Sequence, residues 1–118
     1  MHWLFAYSPD GIPAEDGLIE GKAPDADNHV GLLLGIDNVM PLRVSQMKLG
    51  MWLLEKEWCD YVSWCECFAA QQLYVKRYWM TDVDRKMIDI TAQTFASNVQ
   101  ASLDKLNSPS VVLQEILR

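Results

Sequence analysis

The sequence predicts an α/β (α+β) fold, a mixed sheet flanked by helices, and three observations predict it. Two runs rich in aromatic and β-branched residues, Trp58–Trp64 and Leu73–Trp79, read as adjacent strands. Apolar residues recur at spacings of three and four from Pro41 to about Lys56, and again over residues 83–106, which is the period of helices with one buried face. The 118 residues are 50% hydrophobic and 22% charged, the balance of one folded domain and not of a disordered chain.

The elements follow in order. Residues 3–7 (Trp-Leu-Phe-Ala-Tyr) form a short aromatic run stopped by the turn cluster Ser8-Pro9-Asp10-Gly11, and read as a first strand. Asp16-Gly17 is a hairpin-type turn signal, so Leu18-Ile19-Glu20 is expected to run back and pair with that strand. Residues 23–28 carry Pro24 and several acids and read as a loop, followed by a short helix over 29–34 that ends at Gly35. Pro41 suits the first turn of the next helix, whose core face is Val44, Met47, Met51 and Leu54. The two aromatic strands then form a hairpin closed by a loop over residues 67–71. Thr81 and Asp82 offer caps for the last helix, whose stripe of Ile88, Ala92, Phe95, Val99, Leu103 and Leu106 is expected to pack on the sheet. Residues 1–107 thus make one domain, and residues 108–118 a tail in which 111–117 are apolar enough to fold back or meet a partner.

Charge and cysteine usage narrow the function. Sixteen acids against ten bases give a net charge of −6, opposite to the footprint of a protein that coats nucleic acid by electrostatics alone, so any DNA contact must be local or metal-assisted. Cys59, Cys65 and Cys67 lack the paired spacing of zinc sites and read as reduced thiols in a cytoplasmic compartment. The apolar runs are too short to span a bilayer, so no membrane is expected as partner.

The chemistry-bearing residues are Asp10, Glu20 and Lys22. On a strand, positions 20 and 22 share a face about 6.6 to 6.8 Å apart, with Gly21 turned away. If the hairpin brings Asp10 to that edge, two carboxylates and a backbone carbonyl suit a hard ion such as Mg²⁺. The lysine would then orient the attacking water and stabilise charge developing on a phosphate. An acid followed by Glu-x-Lys is a weak signal alone, because charges near turns usually face solvent.

The surrounding order adds to it: S-P-D-G at 8–11, G-L-I-E-G-K-A-P at 17–24, Asn28-His29, L-L-L-G at 32–35, Gln46, M-W-L-L-E-K-E-W-C-D-Y-V-S-W at 51–64 and Q-L-Y-V-K-R-Y-W at 72–79. This series closely resembles the YqaJ-type viral recombinase family, the lambda-type alkaline exonucleases, over nearly all of residues 5–106. The resemblance implies a PD-(D/E)-x-K, restriction-endonuclease-like core, here truncated at its N-terminus. It also implies a Mg²⁺- or Mn²⁺-dependent exonuclease that digests linear double-stranded DNA from 5′ ends in phage recombination, in the cytoplasm of a bacterial host. By position it makes Asp10, Glu20 and the Gly21 carbonyl the metal ligands, Lys22 the catalytic lysine, and Gln46 a neighbour of the site at the start of a Q-x-Q helix motif. Lys48 stands where that motif has its second glutamine, and Gly21 where a branched apolar residue is usual. The implied partners are a single-strand annealing protein and further copies of the chain, as the family forms toroidal trimers.

Two further groups have open readings. Lys76 and Arg77, with Tyr74 and Tyr78, form a basic and aromatic patch that either touches a DNA backbone or is solvated surface. His29 stands either near the metal or in a capping or loop role. The competing function is a catalytically impaired phage protein that uses its acidic surface to bind and regulate a host defence complex or nuclease.

Overall fold

A computed structural model of the chain describes residues 4–66 and 71–108. Its strands are β1 (Gly11–Ala14), β2 (Gly17–Lys22), β3 (Trp58–Trp64) and β4 (Leu73–Trp79), and its helices α1 (Ala26–Leu33), α2 (Pro41–Leu54) and α3 (Asp82–Leu106). The sheet order is β1-β2-β3-β4, with β2 parallel to β3 and the outer pairs antiparallel. A parallel neighbour needs a crossover, and α1 and α2 supply it between β2 and β3. The expected mixed sheet flanked by helices is therefore the observed fold.

The first strand is corrected. Residues 5–9 join no ladder, and the strand that pairs with β2 is Gly11–Ala14, which begins on the last residue of the turn cluster and runs on past it. Residues 5 and 7 do alternate inward, but as plugs: Phe5 meets Trp52 edge-on at 5.9 Å and Phe95 at 5.7 Å, and the Tyr7 ring lies against Gly50. β1 is short and irregular in register, as suits an edge strand that contains Pro13. The turn before Gly17 stands as expected. Gly17 is required there, because a β-carbon would come within 2.1 Å of the Trp58 indole.

α1 begins three residues earlier than expected, because Asp25 caps it by accepting a hydrogen bond from the Asn28 amide at 3.0 Å. α2 starts on Pro41 and ends on Glu55 in the left-handed conformation. Leu18, Met47, Met51 and Cys59 are fully or almost fully buried between α2 and the sheet. α3 has the expected limits and a reciprocal Thr81–Asp84 capping box. Its stripe does not pack on the sheet. It meets α2 instead, tied by the Trp52 indole donating to Asp89 at 2.6 Å, and Ala92 is its one buried residue. Leu103 and Leu106 lie exposed. The expected loop over 67–70, Cys67 and the apolar segment 111–117 fall outside the described residues.

Candidate active site at the β1–β2 edge

Strand alternation gives β2 two faces. Leu18, Glu20 and Lys22 point toward the helices, which the complete burial of Leu18 confirms, while Gly17, Ile19 and Gly21 face outward. Parallel pairing aligns Glu20 with Tyr61 and Lys22 with Ser63, and antiparallel pairing carries those rungs on to Lys76 and Tyr74.

Asp10 stands at the β1 side of β2. Its backbone amide donates to the Ile19 carbonyl at 3.2 Å, and its Oδ2 accepts from the Gly21 amide at 2.8 Å. A strand residue presents its N–H and C=O to the same side, so the Gly21 carbonyl opens on this edge beside Asp10, past the last β1 pair. Gly21 is not needed for space, since an added β-carbon would lie 3.8 Å from Asp10 Oδ2, an ordinary contact.

Glu20 is held from above. The Tyr7 hydroxyl donates a hydrogen bond to its Oε1, and the Tyr7 ring can reach it because Gly50 gives α2 no side chain there. Burial, the hydrogen bond to Glu20 and the Glu20 charge all push the Tyr7 hydroxyl pKa up, so the phenol stays protonated and donating. Burial and the same carboxylate push the Cys59 thiol up to about 12. Among the described residues, nothing hydrogen-bonds to the second carboxylate oxygen of Asp10 or of Glu20. Among the described residues no three His, Cys, Asp or Glu side chains converge, so the oxygen donors on this edge are two carboxylates and one backbone carbonyl. An all-oxygen set of this kind suits Mg²⁺ or Mn²⁺ and not zinc.

The other expected residues divide. Gln46 is exposed on α2, one turn before Gly50 and on the same helical face. Lys48, two residues on, points elsewhere: its Nζ donates to the Trp79 carbonyl and to Asp84 Oδ2, both at 2.5 Å, and so joins α2 to β4 and α3. His29 is completely buried and structural, with Nε2 3.0 Å from the Gln71 carbonyl and Nδ1 2.9 Å from Ser63 Oγ. A carbonyl only accepts, so Nε2 carries a proton and donates to Gln71. Lys76 and Arg77 do not form one patch. Lys76 faces inward on the Glu20–Tyr61 rung, whereas Arg77 is on the outer face, in a bidentate pair with Asp60 at 2.7 and 3.0 Å and stacked 3.6 Å from the Trp58 ring centre. Tyr7 and Gly50 were missed from the sequence. Only Gly50 left a signal, as a glycine in a helix interior costs about 1 kcal/mol against alanine.

No protein-family model matches the chain, and no curated protein matches it. Among solved structures it is similar to an alkaline exonuclease, LHK-Exo, from Laribacter hongkongensis, with a TM-score of 0.76 and 26% identity, over 90% of this chain and 55% of that one. It is likewise similar to LHK-Exo in complex with dAMP, with a TM-score of 0.75 and 26% identity over 90% of this chain and 54% of that one. The chain thus spans little more than half the length of the enzyme it matches.

Proposed function

We propose that this chain is a metal-assisted deoxyribonuclease of the alkaline exonuclease type, acting on the ends of linear double-stranded DNA. The observation that carries the reading is the Asp10 carboxylate on the Gly21 amide, one residue from Glu20 and on the edge where the Gly21 carbonyl opens. Asp10, Glu20 and that carbonyl would hold Mg²⁺ or Mn²⁺. Such an ion supplies Lewis acidity to the phosphodiester and lowers the pKa of the attacking water. Tyr7 fixes the Glu20 carboxylate, so no rearrangement of that donor is needed when substrate arrives. Lys22 shares the Glu20 face and has no anionic partner among the described residues, which leaves its ammonium available to the phosphate and the water. Gln46, exposed on α2, would contact a nucleotide. Work with a single-strand annealing protein in phage recombination, in a bacterial cytoplasm and as a homo-oligomer, belongs to the same proposal. Among the described residues no helix is long and apolar enough to cross a membrane.

A second reading has its own support. The outer sheet face exposes Trp64, Leu73, Val75 and Trp79. A surface of that kind, on a chain of charge −6, fits a protein partner such as a host defence complex.

The deciding assay is digestion of linear duplex DNA with Mg²⁺, with Mn²⁺ and with chelator. Metal-dependent cleavage that falls at least about 100-fold in Asp10→Asn, Glu20→Gln and Lys22→Ala is expected. A folded protein that cleaves nothing with either metal overturns the nuclease reading in favour of the second.

A further inference from the structure

Asp10 and Glu20 carry negative charges that no lysine or arginine neutralises among the described residues. Neutral donors hold them instead. The Tyr7 hydroxyl donates to Oε1 of Glu20, and the Gly21 amide donates to Oδ2 of Asp10 at 2.8 Å. Each carboxylate therefore has one oxygen engaged and one open, while its charge stays available to a cation. Both lie near one phenol, since the charges of Glu20 and of Asp10 act together on the Tyr7 hydroxyl.

Two features put Tyr7 in this place. Its ring fills the space over Gly50, where a β-carbon would stand 2.4 Å from Cε1. It also precedes Asp10 by three residues, so one short stretch of chain delivers one carboxylate and the donor that restrains the other.

Which oxygens are open decides which ion fits. Mg²⁺ demands near-ideal octahedral geometry at about 2.0 to 2.1 Å, keeps several waters and needs only one or two carboxylates. Ca²⁺ takes about six to eight oxygens at about 2.3 to 2.6 Å and accepts a carboxylate through both of its oxygens. One oxygen from Asp10, one from Glu20 and the Gly21 carbonyl suit the first ion and leave the second poorly served.

We propose that Tyr7 determines the metal specificity of the Asp10–Glu20 site: by engaging Oε1 it confines Glu20 to one oxygen, and so favours Mg²⁺ or Mn²⁺ over Ca²⁺. This rests on the nuclease reading and names what selects the ion that reading requires. Tyr7 acts through Glu20 and is a positioning residue. The Gly21 amide restrains Asp10 in the same way, but any residue except proline supplies an amide, so the phenol is the donor that a side chain sets.

The test is binding of Mn²⁺ to the protein without DNA, followed by the electron paramagnetic resonance signal of the free ion, with Mg²⁺ and Ca²⁺ as competitors. Glu20→Gln should release the ion, which places it at this site. In wild type, Mg²⁺ should displace Mn²⁺ at lower concentration than Ca²⁺ does. Hydrogen-bonding partners of ligating carboxylates carry about 10- to 100-fold in metal affinity, so Tyr7→Phe should weaken Mg²⁺ and Mn²⁺ by about tenfold. Ca²⁺ should lose nothing, because the freed oxygen gives it a further contact, and the preference for Mg²⁺ should fall by about tenfold. Gly50→Ala displaces the ring without removing the hydroxyl; it should move the preference in the same direction, and it decides the matter should Tyr7→Phe fail to fold.

Equal weakening of all three ions, or no change, in a folded variant overturns the proposal and leaves the nuclease reading intact, since a merely structural Tyr7 would not alter a ratio. A wild-type protein without preference for Mg²⁺ over Ca²⁺ overturns it as well. No binding of any of these ions to wild type, or Mn²⁺ retained by Glu20→Gln, overturns both.

Discussion

The Tyr7 hydroxyl donates a hydrogen bond to Oε1 of Glu20 across thirteen positions of sequence, linking the segment before β1 to the centre of β2. With the Asp10–Gly21 bond it fixes both carboxylates of the candidate site from the same stretch of chain.

Tyr7→Phe keeps the ring on Gly50 and removes only the hydroxyl. A neutral hydrogen bond contributes about 0.5 to 1.5 kcal/mol, and one to a charged acceptor about 1.5 to 3 kcal/mol. Unfolding by urea should show a loss of about 1 to 2 kcal/mol, and metal-dependent cleavage should fall by about tenfold as Glu20 gains freedom. Unchanged cleavage in a destabilised protein would confine Tyr7 to a structural role.

Gly50→Ala acts on the same pair from the other side. The new methyl would stand 2.4 Å from Tyr7 Cε1, so the ring must move and the bond to Glu20 with it. Overpacking of this kind costs about 1 to 3 kcal/mol, although alanine is the better helix former by about 1. Thermal melting should therefore show net destabilisation, and a gain in stability would mean that the ring is free to move aside.

Cys59 is fully buried, and its thiol is pushed up from 9.0 to about 12. It should resist alkylation in the native protein at pH 8, when a thiol of ordinary pKa is already partly thiolate. The sign for stability follows. The unfolded thiol loses its proton above about pH 9 while the folded one keeps it, so the contribution is complete below pH 9 and disappears as pH rises toward 12. Melting temperatures should fall over that window, and less steeply in Cys59→Ala. A native thiol that reacts as fast as the unfolded chain at pH 8 would contradict the assignment.

Gly21 makes no demand on space or on left-handed geometry: its nearest neighbour to an added β-carbon is 3.8 Å away, and it is not among the positive-φ residues. Gly21→Ala should stabilise the protein by about 0.5 to 1 kcal/mol through the unfolded chain and leave metal-dependent cleavage intact. Loss of cleavage in the stabilised variant would show that this carbonyl needs glycine's freedom.

β3 and β4 were legible from their concentration of aromatic and β-branched residues, and α2 and α3 from apolar residues at helical spacing that begin at Pro41 and after the Thr81 cap. The pair Glu20 and Lys22 was legible because strand alternation puts them on one face. Residues 5–9 misled because alternation reports which side chains point inward, not whether a ladder forms; Phe5 and Tyr7 point inward against α2 and α3. The stripe of α3 misled in a related way, since a periodic face declares burial without naming its partner, and that partner is α2. Lys76 and Arg77 looked like one patch until strand alternation was applied to them.

Asp84 joins two devices at the start of α3. Its Oδ2 accepts from Lys48 at 2.5 Å and, more distantly, from the Thr81 amide at 3.3 Å, while its own amide donates to Thr81 Oγ1 at 3.0 Å. The Lys48 hydrogen bond, ahead of the contacts with Thr81, holds the Asp84 carboxyl below its usual 3.8. A carboxyl with a depressed folded pKa stabilises above its unfolded value and loses that contribution as pH falls through the folded one. Both side chains are partly exposed, 17% for Lys48 and 32% for Asp84, so screening keeps the ion pair itself within about 1 kcal/mol. Asp84→Asn should therefore cost about 1 kcal/mol at pH 7, with part of the cap retained by the amide oxygen. Below the folded pKa, wild type and variant should converge, because the wild-type carboxyl is then neutral as well. The check is a pair of urea titrations, one at pH 7 and one in acid well below the ordinary 3.8. A difference that persists undiminished at the lower pH would show that the shape of the cap, and not the charge on Asp84, carries the effect.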